Sequence, residues 1–576
     1  MRKRMFFGAL MASVLLVLIP VAAEAKTDRG IPVTSKYFSD KGILKKAKKY
    51  DKDQDGYLSP EEIGQVTDIR CAMDVADLSQ LKYFTALNSL WIDAKNMSRY
   101  DGKTLDFTVF PKLEHISLVL DYEKPTSAVP DVKVKVSGLK ELSSFQIHNW
   151  YVDRNGKKGR TQFVDTIDLR DLPSLTVIYM NGVKGLIFDD DSEIEEIVVK
   201  DMTEASYDQI RKLTQLERLV LWSDDPKSTA LDLSDNPFIR TLNIHNSYLK
   251  EIRLAGLEGL ESLSITGKSL EELDLSQNKK LKRLHLSCAK LGSLDLTQNT
   301  KLYQMYLSSK KIDTLDISKN PSLKYLTLKT DRLKALDTSE NEILKNLKIA
   351  SGALAELDLE NNGMLQDLDI SAGQLSALDL SGNRALWYVT IQDTKLKSLD
   401  LSEQGQIYGF ATINNQALVR VNLSQKWRIT SLTIEDTPWK TDLFEFEKLG
   451  SLTLGGVVGA WKGGRLPSGI GRLTIQNMQI SSVDLSQMER LEYLEFHGNK
   501  KVTTLDLNKN PGLFWIDVSG NALKTLRLGT KKSLRYVNCK NNKLKTLDLS
   551  GASKSCNVYC DKDVKVTGFQ GKVNKN

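Results

Sequence analysis

The segment Asp51-Lys52-Asp53-Gln54-Asp55-Gly56-Tyr57-Leu58-Ser59-Pro60-Glu61-Glu62 places oxygen donors at the spacing that wraps one hard cation. Asp51, Asp53 and Asp55 fill loop positions one, three and five. Tyr57 offers its backbone carbonyl at seven, Ser59 acts through a water at nine, and Glu62 gives two oxygens at twelve. Gly56 supplies the sharp turn. One Ca2+ ion is the expected cofactor, and a loop closed by its own Asx turns without metal is the alternative.

A second set of carboxylates recurs rather than clusters. Asp274, Asp295, Asp316, Asp337, Asp358, Asp379 and Asp400 follow one another at a constant interval. Stacked at a strand spacing they should repel one another, so turn amides, hydroxyls and nearby lysines such as Lys282, Lys301 and Lys324 are expected to offset them. A weak cation-binding stripe is the sharper alternative.

Catalytic constellations are missing. The sequence holds no Gly-x-Ser-x-Gly, no His-Glu-x-x-His and no phosphate-cradling glycine loop. Its five histidines, His115, His148, His245, His285 and His497, are too scattered to share one site. The chain is expected not to be an enzyme.

The elements that position these groups follow from a period. Leu-Asp-Leu-Ser-x-Asn begins at Leu231, Leu273, Leu294, Leu315, Leu336, Leu357, Leu378 and Leu399, with a degenerate copy at Ile252. A second apolar column, Leu242, Leu263, Leu284, Met305, Leu326, Leu347, Leu368 and Val389, interleaves with it at the same interval of about 21 residues. No unit this short buries its apolar side alone, so successive units stack as a solenoid. Each coil offers two short strands that alternate inward leucine with outward polar residue. Asn236, Asn278, Asn299, Asn320, Asn341, Asn362 and Asn383 form a structural ladder, in which an amide donates to and accepts from turn backbone that burial would otherwise strand. The outward residues His285, Tyr306, Thr327, Lys348, Asp369 and Thr390 form a hydroxyl-rich stripe suited to a protein or glycan, and equally to plain solvent.

Residues 1–25 read as a signal peptide, because Arg2, Lys3 and Arg4 precede an apolar run that ends in Ala23-Glu24-Ala25. An uncleaved anchor is the alternative. The cap comes next, at 26–66, with a helical spacing over 36–50. The solenoid spans 67–552: irregular at 67–230, regular at 231–403, disturbed at 404–464 and regular again at 465–552, where the column runs through Leu473, Leu494, Trp515 and Tyr536. A terminal cap and tail occupy 553–576. Asn155-Gly156, flanked by Tyr151, Val152 and Phe163, suggests a hairpin that projects as a contact element. No later stretch is long and apolar enough to span a bilayer.

A net charge of +7 over 576 residues is weak for a nucleic-acid partner, and none is expected. Five cysteines are few for an exported protein of this size, so disulfides are not expected to build its fold. Cys71 and Cys539 read as buried thiols, while Cys556 and Cys560 are spaced for a local bridge.

The Leu-x-x-Leu-x-Leu and Leu-Asp-Leu-Ser-x-Asn phrases resemble bacterial secreted leucine-rich repeat proteins of internalin-like architecture, over roughly 67–552. The Asp51–Glu62 loop, running directly into Val66-Thr67-Asp68-Ile69, resembles the EF-hand-like unit that opens many of them. The resemblance implies a β-rich right-handed leucine-rich repeat solenoid of about 21 residues per repeat, with a parallel sheet on one face and a small helical cap. It also implies binding through exposed strand residues, in a secreted or cell-surface setting. The sequence departs from the pattern where the first phrase should carry an inward asparagine: Ser247, Lys268, Ala289, Lys310 and Asp331 fill that slot, and Asn returns at Asn521 and Asn542. A protein or glycan partner at a cell surface is therefore expected. The alternatives are a dockerin-like assembly component, weakened by having one loop where dockerins carry two, and last a secreted hydrolase accessory protein.

Overall fold

The computed structural model describes residues 29–73, 78–94, 104–122, 132–152, 158–159, 164–200, 207–223, 225–458 and 461–575. The expected signal peptide, Asn155-Gly156 and Phe163 lie outside them. The chain divides into two compact units, residues 1–187 and 188–576.

The first unit opens with the cap. Helix α1 (Lys41–Tyr50) starts later than the apolar spacing suggests, because Asp40 caps it by accepting from the Gly42 and Ile43 amides. Helix α2 (Pro60–Gly64) begins at a Ser59–Glu62 capping box. Between them Tyr57–Leu58 pairs antiparallel with Ile31–Pro32, a strand too short to show a period. Helix α1 lies directly on the first coil: a Cβ on Gly42 would stand 2.0 Å from the Ala72 carbonyl oxygen, so only glycine fits there. Parallel strands Asp68–Met73, Ser89–Ala94, His115–Tyr122, Ser144–Val152 and Val177–Asn181 then pair in sequence order. Their intervals vary because insertions leave the sheet edge and return. One return is seen in the antiparallel pairing of Tyr151–Val152 with Lys158–Gly159, as the expected hairpin requires.

The second unit is a ladder of parallel strands running from Glu196–Lys200 to Val573–Lys575. The repeating apolar column is its register: Leu242, Leu263, Leu284, Met305, Leu326, Leu347, Leu368 and Val389 are successive ladder partners. In a single coil Leu281, Leu284, Leu286, Leu291, Leu294, Leu296 and Leu302 are all buried. Each such side chain contributes about 1.5–3 kcal/mol, and only the neighbouring coils can cover it. The Leu-Asp-Leu phrases make shorter strands on another side, such as Ala335–Asp337 with Glu356–Asp358. The main sheet is therefore built by the Leu242 column.

The asparagine ladder joins one coil to the next. The Asn320 amide donates to the Leu296 carbonyl at 3.1 Å and to the Asn299 carbonyl at 3.0 Å. Asn299, Asn341, Asn362 and Asn383 repeat the pattern one coil apart. The expected acceptance from turn backbone does not occur: the buried Oδ1 atoms of Asn236, Asn278, Asn299, Asn320, Asn341 and Asn383 have no partner, and that of Asn362 takes the Thr338 hydroxyl. The ladder works by donation.

Three further expectations need correction. The inward slot assigned to Ser247, Lys268, Ala289, Lys310 and Asp331 lies one residue earlier, in the column that holds Cys288, Ser309, Thr330 and Ser351. There the Ser309 and Ser351 hydroxyls donate to the Leu291 and Leu333 carbonyls and so replace asparagine. Trp515 and Tyr536 are not core residues. Tyr493 pairs with Trp515 across a step that exceeds the repeat by a single position, and the extra residue turns the strand over, so the inward partners are Leu494, Ile516 and Val537. The rings of Tyr493, Trp515 and Tyr536 stack outside instead, at 5.8 and 3.9 Å. Finally, Cys556 and Cys560 form no bridge, and all five cysteines are buried free thiols. The segment 553–576 contributes the last strands of the ladder, Asn557–Cys560 and Val573–Lys575.

Lys531 sits one repeat after Asn510, in the asparagine column. Its buried ammonium donates to the Leu507 and Leu528 carbonyls. Burial pushes its pKa down to about 8, so the folded chain holds this proton less tightly than the unfolded chain does. The desolvation cost is full below pH 8 and is relieved as pH rises toward 10.5. Lys531→Asn should therefore raise the melting temperature at pH 7, and its advantage over the parent should shrink between pH 8 and 10.5; an advantage that does not depend on pH would contradict this origin. Asn320→Ala, which strands two carbonyls, should cost about 1–3 kcal/mol in denaturant unfolding.

Candidate functional site

Alternation along a strand sends every second side chain outward, so the main sheet of the second unit shows three outward columns, the third of them Ser287, Ser308, Lys329, Ala350, Ser371 and Gln392. The first is the stripe expected from sequence: His285, Tyr306, Thr327, Lys348, Asp369 and Thr390 are consecutive ladder partners. A second lies two positions earlier in each strand and carries Gln304, Tyr325, Asn346, Asp367 and Tyr388. The sequence reading passed over this second column, although alternation was the signal for it.

The first two columns together form a depression of about 530 Å³. Tyr325 and Tyr388 stand at its ends, three strand spacings or about 14 Å apart. Its floor is polar and internally ordered: Lys348 pairs with Asp369, and the Asn346 amide donates to Asp367 at 2.6 Å. Thr327 and Thr390 flank that floor. His285 and Tyr306 lie beyond its edge and stack on each other at 4.2 Å. Burial pushes the His285 imidazole below its usual value, favouring the neutral ring. The structure thus gathers four of the six stripe residues and leaves two beside them.

In the cap, the carboxylates of Asp51, Asp53 and Asp55 each offer an oxygen within 4.8 Å of the others. The loop amides hold them there, Asp55 N–H donating to Asp53 at 3.2 Å, Tyr57 N–H to Asp55 at 2.7 Å and Gly56 N–H to Asp51 at 3.1 Å. The remaining Asp51 oxygen is buried and has no hydrogen-bond partner, which suits a cation ligand. Glu62 stands outside that group. One of its oxygens accepts from the Ser59 amide and hydroxyl, the other from the Lys52 amide.

The aspartate column has a simpler role. Each carboxylate accepts from the amide two positions on, as Asp274 does from Ser276 at 2.8 Å and Asp316 from Ser318 at 2.8 Å. Those amides, with the serine hydroxyls, hold both carboxyls below their usual range. Lysine plays little part, since Lys282 pairs with Glu261. Among the described residues no other group of three His, Cys, Asp or Glu side chains gathers as the cap aspartates do. Elsewhere in the first unit Ser143 Oγ lies 3.2 Å from His115 Nδ1 and donates to the Glu114 carbonyl at 3.0 Å. Among the described residues no helix is long and apolar enough to cross a membrane.

No protein-family model matches the chain, and no curated protein matches it. Solved structures do. The functional domain of InlJ from Listeria monocytogenes is 23% identical over 62% of this chain, with a TM-score of 0.33. This chain spans 65% of the length of that one. An internalin, inlF, from the same species is 14% identical over 74% of this chain and 98% of its own, with a TM-score of 0.33. A leucine-rich repeat protein from Leptospira interrogans is 16% identical over 82% and 95%, with a TM-score of 0.30. The leucine-rich repeat solenoid is read from the strand pairings themselves.

The Ser59 amide, working against desolvation and joined by the amides of Lys52 and Asp53 and the Ser59 hydroxyl, holds the Glu62 carboxyl below its usual value of 4.5. Its contribution is therefore present above that value and lost as pH falls through the lower folded value. Glu62→Gln should lower the melting temperature at pH 7, and the gap should close in acid; a gap that persists at pH 2 would show that the carboxylate charge is not what matters.

Proposed function

We propose that the chain is a non-catalytic binding protein that holds a protein or glycan partner over the outward sheet face. The observation that carries this reading is the depression between Tyr325 and Tyr388. It presents aromatic walls and an ordered polar floor, which recognise a ligand without offering a nucleophile or a base. Residues 1–25 fit export, which would bring this face to an extracellular or surface-bound partner.

Calcium in the cap belongs to the same proposal. Asp51, Asp53 and Asp55 would hold the ion with the Tyr57 carbonyl, Ser59 through a water, and Glu62. The ion would tie the two helices of the cap together. The buried, unpartnered Asp51 oxygen supports this reading, although Glu62 would have to exchange some of its present hydrogen bonds for the metal.

Two experiments follow. Millimolar calcium should raise the melting temperature of the parent by the equivalent of about 1 kcal/mol, and Asp51→Ala should abolish the effect; an equal response in both would remove the site. Capture of cell-surface protein and glycan extracts by the purified chain should yield a partner whose retention falls about tenfold with Tyr325→Ala or Lys348→Ala. Retention that neither substitution changes would place binding elsewhere, with the hairpin near Lys158 the next surface to examine.

A further inference from the structure

A second group of exposed rings borders the depression. Trp387, Tyr408 and Trp427 are 46%, 43% and 42% exposed, as much as Tyr325 in the depression. Trp387 and Tyr408 belong to adjacent coils at the start of the sheet strands, where the Tyr408 amide donates to the Trp387 carbonyl at 3.0 Å. With Arg428 and Lys448 they line an open cleft of about 440 Å³. The cleft and the depression adjoin, since Tyr388 at the end of one meets Tyr408 in the other with ring centroids 5.4 Å apart.

The charges of the two parts differ in sign. In the depression Lys348 offsets only one of Asp367 and Asp369, leaving the floor net acidic. In the cleft the guanidinium of Arg428 meets the neutral Gln406 amide at 3.3 Å, and the Lys448 ammonium lies 4.6 Å over the Trp427 ring. The nearby acid Glu445 is taken by Lys426, and neither Arg428 nor Lys448 forms an ion pair among the described residues. Two cations beside exposed rings call for an anion.

This pattern selects among occupants. Single-stranded nucleic acid carries a charge at every residue and would be drawn to the cleft but repelled by the Asp367 and Asp369 floor. A protein segment would seek apolar pockets for its anchors, and between the tyrosines the apolar lining is limited to the buried Leu326, Leu347 and Leu368 beneath amide, hydroxyl and charged groups. A linear glycan meets both parts. Its C–H faces pack on Tyr325, Tyr388 and Trp387, its hydroxyls exchange hydrogen bonds with the floor, and an acidic substituent reaches Arg428 and Lys448.

We propose that the Trp387 cleft is an acid-group subsite, and that the ligand of this face is a linear glycan bearing a carboxylate or sulfate. The proposal rests on the binding reading above and specifies its ligand class. Calorimetric titration of the full chain with hexagalacturonate, a heparin hexasaccharide, cellohexaose and an octameric oligouridylate tests it. One of the acidic hexasaccharides should bind at least about tenfold tighter than cellohexaose, and which one does separates carboxylate from sulfate. The double variant Arg428→Gln, Lys448→Gln should erase most of that preference, as should added salt. Trp387→Ala should weaken the acidic ligand with no change in melting temperature. Equal or tighter binding of cellohexaose overturns the acid subsite while leaving a glycan groove in place. Tighter binding of the oligouridylate overturns the glycan assignment. Failure of both acidic glycans also overturns it, yet a protein partner lost on Tyr325→Ala would leave the broader binding reading standing.

Discussion

The structure of the second unit depends on one repeated exchange, in which a buried side-chain amide donates both protons to carbonyls of the preceding coil. A coil this short has no internal sheet or helix to satisfy its turn backbone, so its carbonyls would be buried without donors. Asn299, Asn320, Asn341, Asn362 and Asn383 meet that need one coil at a time. Their reach fixes the rise between coils at the strand spacing, and the leucines between them then pack against their own counterparts. Every outward column follows from that registration, since a side chain lies over the equivalent residue of the repeat before it. The exceptions obey the same need: Ser309 and Lys531 serve buried carbonyls with a hydroxyl and an ammonium.

Function follows from columns in the same way. The proposed site is contained in no single coil. Tyr325, Lys348, Asp369 and Tyr388 come from four successive coils, and they meet because the register carries each over the next. The floor is ordered by contacts between coils, such as Asn346 to Asp367, so its polar groups are set before any ligand arrives. Such a surface suits recognition by many modest contacts.

Much of this was legible in the sequence. The leucine columns gave the register, the asparagines their burial, and the loop from Asp51 to Glu62 the gathering of three carboxylates. What escaped did so for physical reasons. The outward turn of Trp515 and Tyr536 hinges on a step that is longer than the repeat by a single position, a difference that reverses a strand's faces without altering its composition. The Ile31–Pro32 strand is too short to carry any alternation. Trp387 and Tyr408 lie at a strand edge, outside the inward and outward positions that periodicity ranks, and their exposure depends on the shape of the neighbouring turns. The outward position of Tyr325 and Tyr388, by contrast, was available from the alternation already in use.

Spin labels placed on the outward stripe test the registration directly. Labels at His285→Cys paired in turn with Tyr306→Cys, Lys348→Cys and Thr390→Cys should give separations that grow linearly, by about 4.8 Å for each repeat, to about 24 Å for the longest pair. Distances that do not rise in this order, or a His285–Thr390 distance no larger than that of His285–Lys348, would contradict the stacking of like positions and dissolve the surface on which the proposed binding site is built.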